Sequence, residues 1–172
     1  MSPILIVFVA TGMRILPHEP NFAPIGALAL FGGTYFKGWK AFVVPLAAMI
    51  ISDLFLGFHS TMVWVYGSFL LISLLGKVFL SGRVKWRKLF GLSLLSSVLF
   101  YLITNFGVWA MGTMYVHDFS GLLQSYVMGL PFFRNTILGD ITYNFVFFGA
   151  YALATKWVGR WVWSREIKFM NS

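Results

Sequence analysis

The stretch Leu89-Phe-Gly-Leu-Ser-Leu-Leu-Ser-Ser-Val-Leu-Phe-Tyr-Leu-Ile-Thr-Asn-Phe-Gly-Val-Trp-Ala-Met111 contains no charged side chain. It exceeds the roughly 20 mainly apolar residues that a helix needs to cross a bilayer. Similar runs on both sides of it are separated by Gly, Pro and charge clusters. The sequence therefore predicts six transmembrane helices, at 3–16, 24–36, 41–58, 62–80, 89–111 and 132–157. The second reaches only about 20 Å, which predicts a short, re-entrant or locally broken segment.

The composition of the chain supports this interpretation. Of its 172 residues, 59% are hydrophobic and 10% are charged, whereas about 25% are charged in an ordinary soluble domain. Six spans use up the whole chain, so we expect a single all-α transmembrane domain, 1–172. The chain has no cysteine, which excludes disulfides, thiolate catalysis and Cys-based metal sites.

The Lys and Arg residues are distributed unevenly among the predicted connections. Two crossings separate each basic cluster from the next, so all of the 13 Lys and Arg residues except Arg14 and Arg134 fall on one side. Cytoplasmic loops are enriched in these residues, which identifies that side as the inner one. Six crossings place both termini in the cytoplasm, whereas five would move the 17–24 loop inside. Orientation in a membrane thus explains the net charge of +8, and the predicted partner is membrane lipid rather than nucleic acid.

The connection between the first two predicted helices, Arg14-Ile-Leu-Pro-His-Glu-Pro-Asn-Phe-Ala-Pro24, contains three prolines and three ionisable residues. Irregular backbone at membrane depth is tolerated where protein buries it or where it lines a wet cavity. This segment is predicted either to contribute Arg14, His18 and Asn21 to a binding site, or to be an ordered surface loop whose prolines end one helix and begin the next.

The last predicted helix carries a polar stripe that includes Thr136, Asp140 and Asn144 at helical spacing. An ionisable residue inside a membrane usually marks a pathway, a ligand or a partner. Asp140 is therefore the first candidate for a binding residue, unless it forms a structural ion pair with Arg14 or Arg134. The candidate binding residues of this helix are Arg134, Asn135, Asp140 and Asn144.

Two other helices supply further candidates. Asp53, near the outer end of the third helix, is placed to pair with either arginine. The fifth helix has a polar and aromatic ridge at successive i+4 positions, namely Ser93, Ser97, Tyr101, Asn105 and Trp109. This ridge suits a small polar solute bound by Asn105 and Trp109, or else it makes hydrogen bonds between helices.

Metal and enzyme chemistry have little support in the sequence. No two of His18, His59 and His117 have the i, i+3 or i+4 spacing of a metal pair. The sequence contains no H-E-x-x-H, P-loop, G-x-G-x-x-G or G-x-S-x-G motif. We therefore expect neither a metal site nor an enzyme, and no cofactor is indicated.

Several motifs resemble those of an uncharacterised family of small bacterial membrane proteins. They are the signature R-x-L-P-H-x-P-N-F-x-P-I-x-A from Arg14 to Ala27, then Leu30-Phe-Gly-Gly33, Ser52-Asp-Leu54, Thr104-Asn-Phe-Gly-Val-Trp109 and the segment from Phe132 to Asp140. This resemblance covers most of the chain and implies the bacterial inner membrane as its location.

The layout is also similar to the S components of energy-coupling factor transporters, six-helix proteins that capture vitamins or metal ions from outside. The Ala-x-x-x-Ala docking pair of their first helix is missing here, because Arg14 follows Ala10. The resemblance implies a solute-binding protein of transporter type that takes a small polar or vitamin-like solute from the outer side, with an energising module as partner. The alternative is a non-catalytic accessory subunit of a larger membrane complex.

Overall fold

The chain is all-helical in the part that the structure describes. A computed structural model describes residues 2–82 and 84–170, with side chains as far as Trp157. The helices are α1 (Pro3–Ile15), α2 (Ile25–Tyr35), α3 (Lys40–Leu56), α4 (Met62–Phe79), α5 (Trp86–Met111) and α6 (Phe119–Met170). Because these residues contain no strand, the predicted all-α class is confirmed.

Fewer helices than predicted are long enough to span a bilayer unaided. Three are long and apolar enough to cross a membrane, over Met62–Phe79, Trp86–Met111 and Phe119–Trp157. The other three contain 13, 11 and 17 residues. They reach about 16 to 26 Å, short of a hydrocarbon core of about 30 Å. The apolar helices indicate association with a membrane, but length and composition support three spans rather than six.

The last helix begins much earlier than predicted. The sequence prediction started it at Phe132 because Pro131 was expected to interrupt it, but α6 begins at Phe119 and continues through that proline. Asp118 stabilises the earlier start, since its carboxylate accepts hydrogen bonds from the Gly121 N–H at 2.8 Å and the Ser120 hydroxyl at 3.0 Å. The Gly121 N–H, followed by the hydroxyl, lowers the pKa of the Asp118 carboxyl. An acid in this position is an N-cap, which satisfies free amides of the first turn.

The short helix α2 lies at the centre of the bundle, in contact with each of the other helices. Every residue from Ile25 to Thr34 is buried. Two glycines permit this close packing: a Cβ on Gly33 would collide with the backbone of α4 at Ser73, and a Cβ on Gly76 of α4 would collide with the Leu30 carbonyl. Because neighbouring helices cover α2, its length need not match the thickness of the membrane.

Basic side chains of separate connections meet at one end of the bundle. The Lys77 ammonium, in the last turn of α4, donates to the Gly38 carbonyl between α2 and α3 at 3.2 Å. The ammonium of Lys88, at the start of α5, lies 5.5 Å from the centre of the Phe79 ring in α4. The connections α2–α3 and α4–α5 are therefore at the same end.

Candidate functional site

A cavity of about 490 Å³ opens at the other end of the bundle. Its volume falls in the range of roughly 300 to 1,000 Å³ that is usual for small-molecule sites. Three connections line it: His18 and Asn21 between α1 and α2, His59 between α3 and α4, and Met114 and Tyr115 between α5 and α6. The remaining polar wall residues are Arg14, Thr104, Asn105, Ser125, Thr136 and Asp140.

The connection between α1 and α2 is fastened to α6. The Asn135 amide donates to the Pro20 carbonyl at 3.0 Å, and the rings of Phe22 and Tyr143 lie 5.5 Å apart. A Cβ on Gly139 would be 3.3 Å from the Phe22 Cα, so the backbone of the loop rests directly on α6. The segment is an ordered loop, as one of the two alternatives predicted, and its His18 and Asn21 line the cavity.

Arg14 and Asp53 form an ion pair that joins α1 to α3. The guanidinium lies 2.5 Å from one carboxylate oxygen of Asp53, and the Tyr66 hydroxyl donates to the other oxygen at 2.6 Å. Arg14 also donates to the Ser52 hydroxyl and, at 3.3 Å, to the Met49 carbonyl. Its charge is thus compensated inside the protein, and it reaches the cavity as one half of a neutral pair.

Asp140 lacks such compensation. It is 3% exposed, and within the described residues it has no ion pair. The structure does not show the alternative in which Asp140 pairs with Arg14 or Arg134, because Arg14 is held by Asp53 and Arg134 is exposed on another side of α6. The one side chain that donates to Asp140 in the described part of the chain is Ser97, whose hydroxyl lies 2.7 Å from Oδ2.

The other carboxylate oxygen of Asp140, Oδ1, lies beside α2. Oδ1 faces Gly26, where any Cβ would collide with the carboxylate. Gly26 belongs to the first turn of α2, and a helix N-terminus carries a partial positive charge of about +0.5. That partial charge favours the carboxylate but does not cancel a full negative charge. The packing accordingly leaves a buried acid in the cavity wall.

The ridge on α5 divides into two functions along its length. Ser97 bonds to Asp140, and the Ser93 hydroxyl accepts from the Asn144 amide at 3.0 Å. These lower residues therefore join α5 to α6, as the interhelical alternative predicted. Asn105, higher on the ridge, lines the cavity and donates to the Tyr101 carbonyl at 2.9 Å.

The structure brings only part of the predicted site together. Arg14, His18, Asn21, Asn105 and Asp140 line the cavity. The other predicted residues lie outside its wall. They are Asp53, buried behind Arg14; Trp109, whose indole donates to the Val116 carbonyl; Arg134, exposed; Asn135, bonded to the loop; and Asn144, buried below Asp140.

Sequence reasoning missed the apolar wall and the glycine beside the acid. Phe69, Phe100 and Phe132 line the cavity, yet in the sequence they are indistinguishable from lipid-facing phenylalanines. Gly26 gives no signal in periodicity, since its role depends on the approach of α6. His59 lines the cavity but was not selected as a site residue. Within the described residues, no three His, Asp or Glu side chains come together as metal ligands.

These features define a class of protein: a small helical bundle that has three helices long and apolar enough to cross a membrane, and a cavity whose buried acid has no ion pair within the described residues. The chain belongs to a family of unknown function, DUF6580, whose model matches residues 1–161. This match confirms the predicted membership of an uncharacterised family. No curated protein and no solved structure matches the chain.

Proposed function

We propose that this protein is a solute-binding integral membrane protein of transporter type, which captures a small polar solute from the outer side of a bacterial inner membrane. The observation that carries the proposal is the cavity of about 490 Å³ with Asp140 buried in its wall. Keeping an ionisable group at membrane depth costs at least about 2.5 kcal/mol. An evolved protein retains such a group where it serves a structural pair or a ligand, and Asp140 has no ion pair within the described residues.

The proposed orientation follows from the two ends of the bundle. The cavity opens where the α1–α2, α3–α4 and α5–α6 connections meet, and basic residues collect at the opposite end. By the positive-inside rule the basic end is cytoplasmic, so the cavity faces outward. In this arrangement all six helices cross, both termini are cytoplasmic, and α1, α2 and α3 cross as parts of the bundle rather than as independent spans.

Transport requires the solute to leave on the inner side. In the proposed mechanism the solute enters between the exposed His18 and His59 at the cavity mouth, and relative movement of helices or of the whole bundle releases it inside. The resemblance to S components supports an energising partner, although the Ala-x-x-x-Ala docking pair of that group is missing from α1. Ala10 is fully buried and Arg14 points toward α3, so this face of α1 is turned toward the protein.

The test is thermal unfolding of the purified protein in detergent against a broad panel of cationic, neutral and anionic small molecules. A ligand that binds only the folded state stabilises it by about 2.7 kcal/mol at a hundred times its Kd. Thr136→Phe, which fills the cavity, should abolish the stabilisation. The matched control, Thr142→Phe, changes an exposed position on the same helix and should preserve it.

The alternative, an accessory subunit of a larger complex, gives a different result. A complex that survives on native gels, together with unfolding that no molecule of the panel shifts, would replace the transporter proposal. Equal stabilisation of the Thr136→Phe and Thr142→Phe variants would show that the ligand binds outside the cavity.

A further inference from the structure

The charges around the cavity do not balance. Arg14 is the one Lys or Arg in the described cavity wall, and its charge is paired with Asp53 at 2.5 Å. The one acid in that wall, Asp140, has no ion pair within the described residues. The histidines, His18 and His59, are exposed at the mouth rather than beside the buried acid. A ligand that fills this cavity therefore meets at its deep end a buried acid that has no ion pair within the described residues.

We infer that the solute is an organic amine in its protonated form, whose ammonium group binds the Asp140 carboxylate. This inference rests on the proposed function and adds the chemical class of the solute. A cation loses its hydration on entering the bundle, and a buried opposite charge offsets that loss. A neutral solute would leave the acid unpaired, and an anionic solute would add repulsion.

The geometry leaves the carboxylate room for an ammonium donor. Ser97 occupies Oδ2, while Oδ1 receives no hydrogen bond from the described residues. Gly26 lets the carboxylate lie against the first turn of α2, because a Cβ there would collide with it, and Asp140 also lines the cavity. An N–H group of the ligand supplies the donor that this oxygen lacks, and a charge-assisted hydrogen bond of this kind is among the stronger ones in proteins.

The rest of the wall fits an organic body. Phe69, Phe100 and Phe132 line the cavity together with Tyr115. Aromatic faces attract cations through their quadrupole and cover apolar groups. A bare metal ion would instead need several oxygen or nitrogen ligands, and no group of three His, Asp or Glu side chains exists in the described part of the chain. The wall therefore favours an amine with an aromatic or aliphatic portion.

The experiment compares compounds that differ only in charge. Phenylalkylamines, from benzylamine to 4-phenylbutylamine, are each matched with the alcohol and the carboxylate of the same skeleton, and thermal unfolding in detergent reports binding. We expect the amines to stabilise the wild type and the matched alcohols and carboxylates to have little effect. In Asp140→Asn the affinity for the amine should fall about tenfold to a hundredfold, the range for losing a hydrogen bond to a charged group.

The matched control is Asp118→Asn, which removes an equal charge at an exposed position outside the cavity. Asn caps a helix about as well as Asp, so this variant should bind the amine as the wild type does. Unchanged amine affinity in Asp140→Asn would overturn the inference. The inference would also be overturned if sodium chloride stabilised the protein in a way that depends on Asp140 while the amines did not stabilise it.

The wild-type comparison decides the question even if Asp140→Asn fails to fold. Alcohols or carboxylates that stabilise the protein as strongly as the amines refute an ammonium ligand. If Thr136→Phe abolishes the stabilisation by these alcohols or carboxylates, the solute-binding proposal stands with a different class of solute. If no compound of any charge stabilises the protein, both proposals fail.

Discussion

Replacing Arg14 by methionine should destabilise the protein strongly, although this residue is only one of 13 Lys and Arg residues. Its guanidinium lies 2.5 Å from Asp53, and the side chains of the pair are 14% and 3% exposed. Arg14→Met leaves the Asp53 carboxylate buried with the Tyr66 hydroxyl as its remaining donor. The reciprocal variant, Asp53→Asn, leaves the guanidinium with the Ser52 hydroxyl and the Met49 carbonyl.

The magnitude follows from what each variant leaves uncompensated. Removing one partner of a buried ion pair costs about 3 to 5 kcal/mol. Because each remaining group of this pair keeps neutral hydrogen-bond partners, we expect the lower end, about 3 kcal/mol for each single variant. For a chain of this size that corresponds to a decrease in Tm of about 6 to 12 °C.

The measurement is thermal unfolding in detergent, followed by tryptophan fluorescence, of the wild type, both single variants and the double variant. Once both charges are gone, the second substitution should cost little, so the double variant should resemble either single variant. The control is Arg134→Met, which removes an exposed arginine without an ion pair in the described residues and should change stability by less than about 0.5 kcal/mol. Single-variant losses that simply add in the double variant would refute the coupling.

Three further predictions concern packing, capping and the loop. Gly33→Ala should prevent α2 from packing closely on α4 and should therefore lower Tm. Gly91 has open space around it, so Gly91→Ala should preserve or slightly raise Tm. Equal effects of the two substitutions would contradict the close-packing argument. Asp118→Ala should lower Tm at neutral pH. The folded-state pKa of this acid lies below its ordinary value of 3.8. The stabilisation by Asp118 is therefore present above that value and is lost as the pH falls through the folded-state pKa. The difference in Tm between the variant and the wild type should narrow in acid, and a constant difference would refute this prediction. Asn135→Ala removes the bond that ties the loop to α6 and should speed hydrogen exchange at the Phe22 amide; unchanged exchange would show that packing alone holds the loop.

The sequence was sufficient for most helix positions because apolar runs bounded by Gly, Pro and charged residues give a strong signal. The first five helices end within a few residues of their predicted limits. The start of α6 was missed because a proline is normally read as a helix stop, whereas α6 loses only one N–H at Pro131 and continues. Asp118, whose side chain caps the helix, lies just before the true start and was not used in the sequence prediction.

The candidate site was predicted less completely, because it depends on which faces meet. Helical spacing identified Asp140, and the prolines identified the loop that carries His18 and Asn21. Spacing within one helix could not choose between Arg14 and Arg134 as the partner of an acid, since that choice depends on packing between distant segments. The structure assigns Arg14 to Asp53 and thereby leaves Asp140 without a pair in the described residues.

The enclosed position of α2 has a consequence for biosynthesis. This helix is completed early in translation, yet its final neighbours include α6, and the bond from Asn135 to Pro20 connects residues 115 positions apart. A nascent chain that has not yet produced α6 lacks the Asp140 carboxylate that packs against Gly26. It also lacks Asn135, which holds the loop between α1 and α2. The cavity is thus completed only when the last helix arrives, and a chain truncated before that helix lacks both Asp140 and the part of the wall that α6 supplies.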